Sequence, residues 1–148
     1  MIKYPNGVKP RFPYKPKSHE HTQKGKRKIN KFNALRTTVD GITFDSKLEG
    51  RYYEYLKTLK LDFKYHERFE ICPKFELNGK TYRKRTYTPD FSIYTNGKLT
   101  GVIDTKGSKA TVTTDSRLRM VLFMYQYQIP VVIARWDAKT KTFKESVE

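Results

Sequence analysis

The fold is decided by residues 87–107, which read YTPDFSIYTNGKLTGVIDTKG. Phe91 to Tyr94 and Leu99 to about Thr105 are rich in the β-branched and aromatic residues of strands, and Asn96-Gly97 between them is typical of a hairpin turn. Pro89 interrupts the chain just before the first of these strands. The stretch therefore predicts two neighbouring antiparallel strands, the second of them apolar enough to be central in a sheet.

Two charged residues in the second strand are the first sign of chemistry. Asp104 and Lys106 are two positions apart, so their side chains point to the same face of the strand, while Ile103 points to the other. Burying an unpaired charge is costly, so such groups on an apolar strand either pair with each other or bind a metal. The simpler alternative is an ion pair on a solvated face.

The register of the hairpin decides whether a third charged residue, Asp90, joins this pair. A two-residue turn at Asn96-Gly97 places Asp90 opposite Ile103, on the face away from Asp104. A three-residue loop over 95–97, with its glycine in the left-handed conformation, places Asp90 on the Asp104 face. An active site requires this three-residue loop or a bulge at Gly101, and the glycine in third place favours the loop. Taken alone, an aspartate after a proline is often only a turn residue.

Helical spacing of apolar residues is found on both sides of the hairpin. Ser46 begins the upstream helix, whose apolar residues are Leu48, Tyr52, Tyr55, Leu56 and Leu59. Asp115 is expected to cap a downstream helix that ends before Pro130 and has one apolar face, formed by Leu118, Val121, Leu122 and Tyr125. These two helices are expected to flank the sheet.

Further strands complete the expected domain. Residues 62–71, 74–77 and 81–88 look extended, and Asn78-Gly79 marks another hairpin turn. Val131 to Ala134 forms a short buried strand, and a weak last strand lies near Lys141 to Lys144. The order of helix, strands, helix and strand predicts a mixed α/β domain, α+β in class, over residues 37–148.

Composition and charge narrow the classes of partner. The chain has 148 residues, enough for one core, with a formal net charge of +16 and an isoelectric point of about 9.9. Such a charge favours a polyanionic partner, and nucleic acid is the first candidate. An anionic membrane is a weaker candidate, because the sequence has no long basic amphipathic helix. A single cysteine, Cys72, indicates a reducing cytoplasmic setting, and neither an apolar leader nor a membrane-spanning run of 18 residues is found.

The first 36 residues differ from the rest. They hold 11 Lys or Arg, one acidic residue and four prolines, and they show no periodicity. We interpret residues 1–36 as a flexible basic arm that orders on nucleic acid, with a solvated tail as the alternative. The most basic stretch of this arm contains Lys24, Lys26, Arg27 and Lys28.

Other cations and histidines are weaker signals. Six cations near the hairpin and the second helix are candidates for holding DNA phosphates: Arg83, Lys84, Arg85, Lys109, Arg117 and Arg119. For each, a solvated surface charge is the simpler interpretation. His19 and His21 lack companion ligands, and His66 is expected to be structural, with a substrate contact as the lesser option.

A cation fits between the two aspartates. Carboxylates of Asp90 and Asp104 on one face repel each other unless a positive ion lies between them. Mg²⁺ or Mn²⁺ suits oxygen ligands and keeps waters that a phosphate can displace. Lys106 would then lie beside the attacking water, where it could hold or help deprotonate that water and stabilise charge on the phosphate.

These segments together resemble the PD-(D/E)xK nuclease superfamily. The resemblance covers about residues 44–135 and lies in YTPDF (87–91), VIDTKG (102–107) and FDSKLEGRYYEYL (44–56). Within the superfamily they are similar to the phage endonuclease I type of Holliday-junction resolvases and to other small phage-encoded nucleases. One departure is that Asp104 stands where that phage enzyme has glutamate.

The resemblance implies a restriction-endonuclease-like core in which helices flank a mixed sheet in the order αβββαβ. It implies that Glu49, Asp90 and Asp104 hold the metal and that Lys106 is the catalytic lysine. Local sequence leaves Glu49 open, because Ser46-Lys47-Leu48-Glu49 also fits a helix capping box in which it does no chemistry.

The resemblance further implies a DNA endonuclease that uses Mg²⁺ or Mn²⁺. Its expected substrate is a four-way junction, and two cuts then require a homodimer, with the stretch from Phe63 to Thr88 as a possible interface. If the protein is encoded by a phage, it acts in the cytoplasm of a bacterial host. Two alternatives stay open: a nuclease of the same fold with another role in DNA processing, and a non-catalytic nucleic-acid-binding protein.

Overall fold

The computed structural model describes residues 35–107 and 112–148. Two helices lie in these ranges, α1 (Lys47–Thr58) and α2 (Thr114–Tyr127). The strands in the same ranges are β1 (Thr37–Val39), β2 (Ile42–Phe44), β3 (Asp62–Tyr65), β4 (Phe69–Cys72), β5 (Phe75–Leu77), β6 (Lys80–Tyr82), β7 (Arg85–Tyr87), β8 (Phe91–Thr95), β9 (Lys98–Lys106), β10 (Val131–Asp137) and β11 (Thr142–Val147). The fold is mixed α+β, as predicted.

A central sheet is built from strands in the order β11-β10-β9-β8-β3. Only β9 and β10 of this sheet run parallel, and α2 is the crossover that joins them. The other neighbours are antiparallel, so the sheet is mixed. Three separate two-stranded pairs lie outside it in the described chain, namely β1–β2, β4–β7 and β5–β6.

Each face of the central sheet carries its own apolar core, since neighbouring residues of β9 point to opposite sides. Ile103 packs on the side of α1, in a cluster with Phe44, Tyr52, Leu56, Phe91 and Ala134. Val102 packs on the side of α2, in a cluster with Phe69, Ile71, Tyr87, Met120, Phe123, Val131 and Ile133. The pattern makes β9 central, because its apolar residues are buried on both faces.

The hairpin between β8 and β9 differs from the predicted one. Thr95 pairs with Lys98, so the turn has two residues, and both Asn96 (φ 51°) and Gly97 (φ 75°) are left-handed. The three-residue loop was therefore wrong: Asn-Gly supplies both positive φ values of the turn that best matches strand twist.

A bulge within β9 restores the predicted face. Tyr94 pairs with Leu99 but Ile93 pairs with Gly101, so Thr100 is the extra residue. Beyond it, Phe91 lies opposite Ile103, and one further step brings Asp90 alongside Asp104. The predicted alternative of a bulge in this part of β9 is thus confirmed, with the extra residue at Thr100, next to Gly101.

Helix α1 begins as predicted, but the inner face of α2 was predicted wrongly. Ser46 is the N-cap of α1, whereas Thr113, not Asp115, caps α2. Met120 and Phe123 are buried on the inner face of α2. The four residues predicted to form the apolar face of α2 are exposed by 36–79%, namely Leu118, Val121, Leu122 and Tyr125. The buried residues and the four exposed ones both follow helical spacing. The face that contains Phe123 is the buried one, because the Phe123 ring packs against the rings of Phe69 and Tyr87.

Several predicted strand bounds also change. The stretch 62–71 is divided into β3 and β4, with His66 between them. The stretch 81–88 contains the last two residues of β6 and the whole of β7. The weak last strand is longer than predicted, as β11 extends to Val147. Neither of the helices described is long and apolar enough to span a bilayer. The predicted basic arm, apart from residues 35 and 36, lies outside the described residues.

Candidate active site

Asp104 and Lys106 lie together at the end of β9. Lys106 Nζ is 2.5 Å from Asp104 Oδ1, and the Tyr87 hydroxyl donates to Asp104 Oδ2 at 3.3 Å. Asp104 is 6% exposed. The pair is therefore an ion pair inside the protein rather than one on a solvated face, and we call these three residues the lysine half of the site.

Asp90, just before β8, is held against the same strand. Its Oδ2 accepts from the Thr105 backbone N–H at 2.6 Å and from the Thr105 hydroxyl at 2.7 Å. Its backbone carbonyl accepts from the His66 N–H at 3.0 Å. These three bonds fix both the main chain and the carboxylate of Asp90, so it is more than a turn residue.

Glu49 lies on the other side of Asp90, in the first turn of α1. Its carboxylate accepts from the Tyr65 hydroxyl at 2.7 Å and from the Ser46 hydroxyl at 2.8 Å. The Asp45 N–H also reaches it, at 3.3 Å, while Ser46 Oγ accepts from the Glu49 N–H at 3.2 Å. Glu49 is therefore part of the cap of α1 and lies next to the other acids of the site at the same time.

His66 joins Glu49 to Asp90. Its Nε2 is 3.6 Å from Glu49 Oε2 and 3.8 Å from Asp90 Oδ1. The ring stacks on Tyr65 at 3.8 Å between centroids, and the backbone is left-handed with φ 52°. A histidine in this backbone region is uncommon, and such outliers cluster at functional sites. We call Glu49, Tyr65 and His66 the histidine half of the site.

The acids of both halves are harder to ionise than free carboxyls. Burial, followed by the charge of Asp90, raises the pKa of Asp104 to about 6, although Lys106 acts in the opposite direction. Burial and the same Asp90 charge raise the pKa of Glu49. The hydrogen bond to Asp90 is the main cause that raises the pKa of His66, against its own burial. Asp90 is thus coupled electrostatically to both halves.

The donor set fits a divalent cation. One ligand atom each from Glu49, His66 and Asp90 lies within 4.8 Å of the others, which is close enough for all three to reach one ion. Two carboxylates and an imidazole suit Mn²⁺ or Zn²⁺, and carboxylates with water suit Mg²⁺. His66 takes the place in this cluster that was predicted for Asp104, which lies on the other side of Asp90 beside Lys106.

A pocket opens over the lysine half. Its lining includes Asp90, Asp104 and Lys106, together with three further charged residues: Arg68, Asp115 and Arg119. Arg119 is tied in place, since it donates to the Thr86 carbonyl at 3.1 Å and to Asp115 at 3.0 Å. The pocket thus combines acids with cations able to bind a phosphate.

Four other cations predicted to bind DNA do not line this pocket. Arg83, Lys84 and Arg85 are exposed at the entry to β7, and Arg117 pairs with Glu148. The remaining five candidates fall outside the described residues: Lys24, Lys26, Arg27, Lys28 and Lys109. Among the predicted DNA contacts that are described, Arg119 is the one that lines the pocket.

Sequence reasoning missed two residues of the site. His66 was taken as structural and Arg68 was not considered, because both follow β3 in a segment that looked like continuous strand. A charged His-Glu-Arg run inside an otherwise alternating stretch was the available signal. Tyr65 and Tyr87, which bond Glu49 and Asp104, gave no signal among the 11 tyrosines of the chain.

The chain belongs to a family described as "Protein of unknown function (DUF1064)", which matches residues 29–145. No curated protein matches it. A solved structure titled "Crystal structure of SSO0001" is similar at 17% identity and a TM-score of 0.45. That similarity covers 68% of this chain and 48%, about half, of the other.

Proposed function

We propose that this protein is a metal-dependent DNA endonuclease whose active site contains Glu49, Asp90, Asp104 and Lys106. One observation carries the proposal. A buried aspartate and a lysine, 2.5 Å apart at the end of a central strand, lie next to a second aspartate in a pocket lined by arginines. Charges buried at this density cost stability, and sites of chemistry are where proteins retain them.

Each half has a distinct role in the proposed reaction. Glu49, Asp90 and His66 would hold the cation, and Asp104 would hold it or orient its water. When bound, Mg²⁺ or Mn²⁺ polarises the phosphate and lowers the pKa of a ligand water. Lys106, fixed by Asp104, donates to the attacking water or to the phosphate as its charge develops. Arg68 and Arg119 bind the neighbouring phosphates.

The order of elements supports a restriction-endonuclease-like core. Leaving out the three two-stranded pairs outside the central sheet, the described chain runs α1, β3, β8, β9, α2, β10, followed by β11. This succession is compatible with the proposed αβββαβ order, with one strand added at the edge. The proposed catalytic residues then come from the first helix and from the second and third strands of that core.

The proposed substrate is branched DNA such as a four-way junction, acted on in the cytoplasm of a bacterial cell. A net charge of +16 supports a polyanionic substrate. Symmetric cutting of a junction requires two active sites, hence a homodimer. The exposed stripe of α2, formed by Leu118, Val121, Leu122 and Tyr125, supplies an apolar surface that two copies can share.

A cleavage assay tests the function. Labelled four-way junction and linear duplex of matching sequence are incubated with the protein, with and without Mg²⁺ or Mn²⁺. We expect metal-dependent cleavage of the junction that is lost in Asp104→Asn and kept in Asp62→Asn, an exposed aspartate on β3. Equal cleavage of both substrates argues for another DNA-processing role. Binding without cleavage under either metal argues for a non-catalytic binding protein.

Sedimentation velocity tests the homodimer. Val121→Glu places a charge in the centre of the α2 stripe, and we expect it to convert dimer to monomer. Gln126→Glu adds the same charge at an exposed position of the same helix outside the stripe and should leave the dimer intact. A monomeric wild-type protein in the presence of junction DNA would contradict the homodimer.

A further inference from the structure

The β5–β6 hairpin is exposed along its whole length. Every residue from 73 to 85 is exposed, including both strands and the Asn78-Gly79 turn. The hairpin pairs only with itself among the described strands. A lone two-stranded hairpin is marginal in water, so a projecting one that carries large apolar side chains needs an explanation outside the folding of the domain.

One face of this hairpin is aromatic and apolar. Phe75 and Tyr82 lie directly opposite each other, with ring centroids 4.8 Å apart and planes within 8°. Leu77 shares their face, and these three side chains are exposed by 44%, 36% and 56% for Phe75, Tyr82 and Leu77. Lys80 completes the face, with its Nζ 5.4 Å from the Tyr82 ring centroid. The result is an exposed pair of stacked aromatic rings with a cation near one of them.

The net charge of the hairpin indicates which class of partner it can bind. Residues 73–85 hold five Lys or Arg and one Glu, a net charge of +4. Two copies of such a hairpin repel each other when packed face to face, so a second copy of this chain is a poor occupant. A polyanion with exposed flat rings satisfies both the charge and the aromatic face, and unpaired nucleic acid is such a molecule.

The hairpin is joined directly to residues that line the candidate active site. It connects β4 to β7, and a bulge between Glu70 and Cys72 of β4 lies at its base. Immediately after the hairpin, Thr86, Tyr87 and Thr88 line the pocket beside Asp104. A nucleic-acid strand bound at the hairpin would therefore lie next to residues that line the pocket.

We propose that the β5–β6 hairpin binds unpaired single-stranded DNA next to the cleavage site, stacking a base on the Phe75–Tyr82 surface. Lys74, Arg83, Lys84 and Arg85 bind the phosphates that flank this base. The proposal rests on the proposed function for the choice of DNA and names the part of a branched substrate that this chain recognises: the unstacked strand at the branch.

Binding is measured without divalent metal, so cleavage does not enter the readout. The ligands are a single-stranded oligonucleotide containing 2-aminopurine and a duplex of the same length. We expect Phe75→Leu with Tyr82→Leu to weaken single-strand binding by about tenfold or more, as loss of base stacking does, and to abolish the quenching of 2-aminopurine. Duplex binding should stay unchanged.

Two controls separate stacking from a loss of hairpin structure. Tyr55→Leu removes an exposed aromatic ring from α1 and should have no effect on single-strand binding. The exchange Phe75→Tyr with Tyr82→Phe keeps both rings and should retain wild-type affinity and quenching. Single-strand affinity that is unaffected by the double leucine change would overturn the proposal, as would conversion of a dimer to a monomer by that change.

The charge contribution is tested independently. The test variant combines Arg83→Gln, Lys84→Gln and Arg85→Gln. Its plot of log affinity against log salt for single strands should be less steep by about 2, at roughly 0.7 per phosphate contact. Lys47→Gln, Lys98→Gln and Lys139→Gln remove the same number of exposed cations elsewhere, and a matching loss of slope in this control contradicts a hairpin-specific site. Hairpin-dependent binding without any cleavage would contradict the proposed nuclease activity and support the proposed role of the hairpin. Metal-dependent cleavage, with normal single-strand binding by the hairpin variants, would support the nuclease activity and contradict the role of the hairpin.

Discussion

The two halves of the candidate active site balance their charge in different ways. In the lysine half, Asp104 has an ammonium group 2.5 Å away. In the histidine half, Glu49 is bonded by two hydroxyls and one backbone N–H, and its nearest potential cation is His66 at 3.6 Å. Asp90 adds a negative charge next to both.

This difference indicates where an external cation is needed. A buried carboxylate with a fixed lysine is already compensated, and the lysine is held in one position by the same contact. Glu49 and Asp90 have no such fixed counter-charge among the described residues, since His66 is charged only when protonated. We therefore expect the histidine half to bind the metal and the lysine half to present the ammonium to the reacting atoms.

Lys106→Met is expected to have the largest effect on catalysis. It removes the ammonium while keeping an unbranched stem of four heavy atoms, and cleavage should fall by about 10²–10⁴-fold, the range for loss of a positioned proton donor or charge stabiliser. Metal affinity, measured by calorimetry with Mn²⁺, should not fall. The matched control is Lys57→Met, at an exposed lysine of α1 that pairs with Asp40. A fall in Mn²⁺ affinity as large as the fall in rate would show that the two halves are not separate.

Glu49→Gln should have the next largest effect, and on the opposite property. Loss of a charged ligand is expected to weaken Mn²⁺ binding by about 10–100-fold or more, with a corresponding loss of cleavage at limiting metal. Ser46→Ala separates this role from capping: it should cost about 1 kcal/mol of unfolding free energy and leave Mn²⁺ affinity unchanged. If both variants behave alike, Glu49 acts only as part of the cap.

Much of this site followed from sequence because strand periodicity is local. Asp104 and Lys106 are two residues apart, so any straight strand brings them together, and the structure does. The bulge that aligns Asp90 was predicted only as an alternative, since whether the extra residue lies in the turn or at Thr100 depends on competing backbone conformations. An Asn-Gly pair that forms the tight turn well leaves the strand to absorb the extra residue.

Features that depend on distant partners were beyond the sequence. Two apolar stripes on α2 have the same spacing, and which one is buried is decided by Phe69 and Tyr87, far away in the chain. His66 becomes part of the site only because β3 pairs with β8 and thereby brings it to Asp90. Periodicity reports that a helix or strand has an apolar face, but not which neighbour covers it.

His66→Asn should have a smaller effect that distinguishes metals. Asparagine tolerates the left-handed backbone that His66 adopts, so the local fold is kept. Loss of the imidazole should weaken Mn²⁺ binding by about tenfold, while Mg²⁺ binding should stay the same, because imidazole is a good ligand for transition metals and a poor one for Mg²⁺. Calorimetric titrations with the two metals provide the comparison. Equal losses for both metals would mean that His66 positions the carboxylates rather than contacting the ion.

Thr105→Val should have the smallest effect. It tests how Thr105 holds Asp90, the residue that lies next to both halves of the site. The substitution removes the hydroxyl that donates to Asp90 at 2.7 Å but keeps the shape of the side chain and the backbone N–H bond at 2.6 Å. We expect a loss of about 1–3 kcal/mol in unfolding free energy, as for a buried hydrogen bond to a charged group, and only a minor loss of cleavage. Thr105→Ser, which retains the hydroxyl, is the control, and denaturant unfolding of both gives the measurement. A loss of cleavage in Thr105→Val as large as that in Lys106→Met would mean that the hydroxyl, rather than the backbone N–H, sets the position of Asp90 between the two halves.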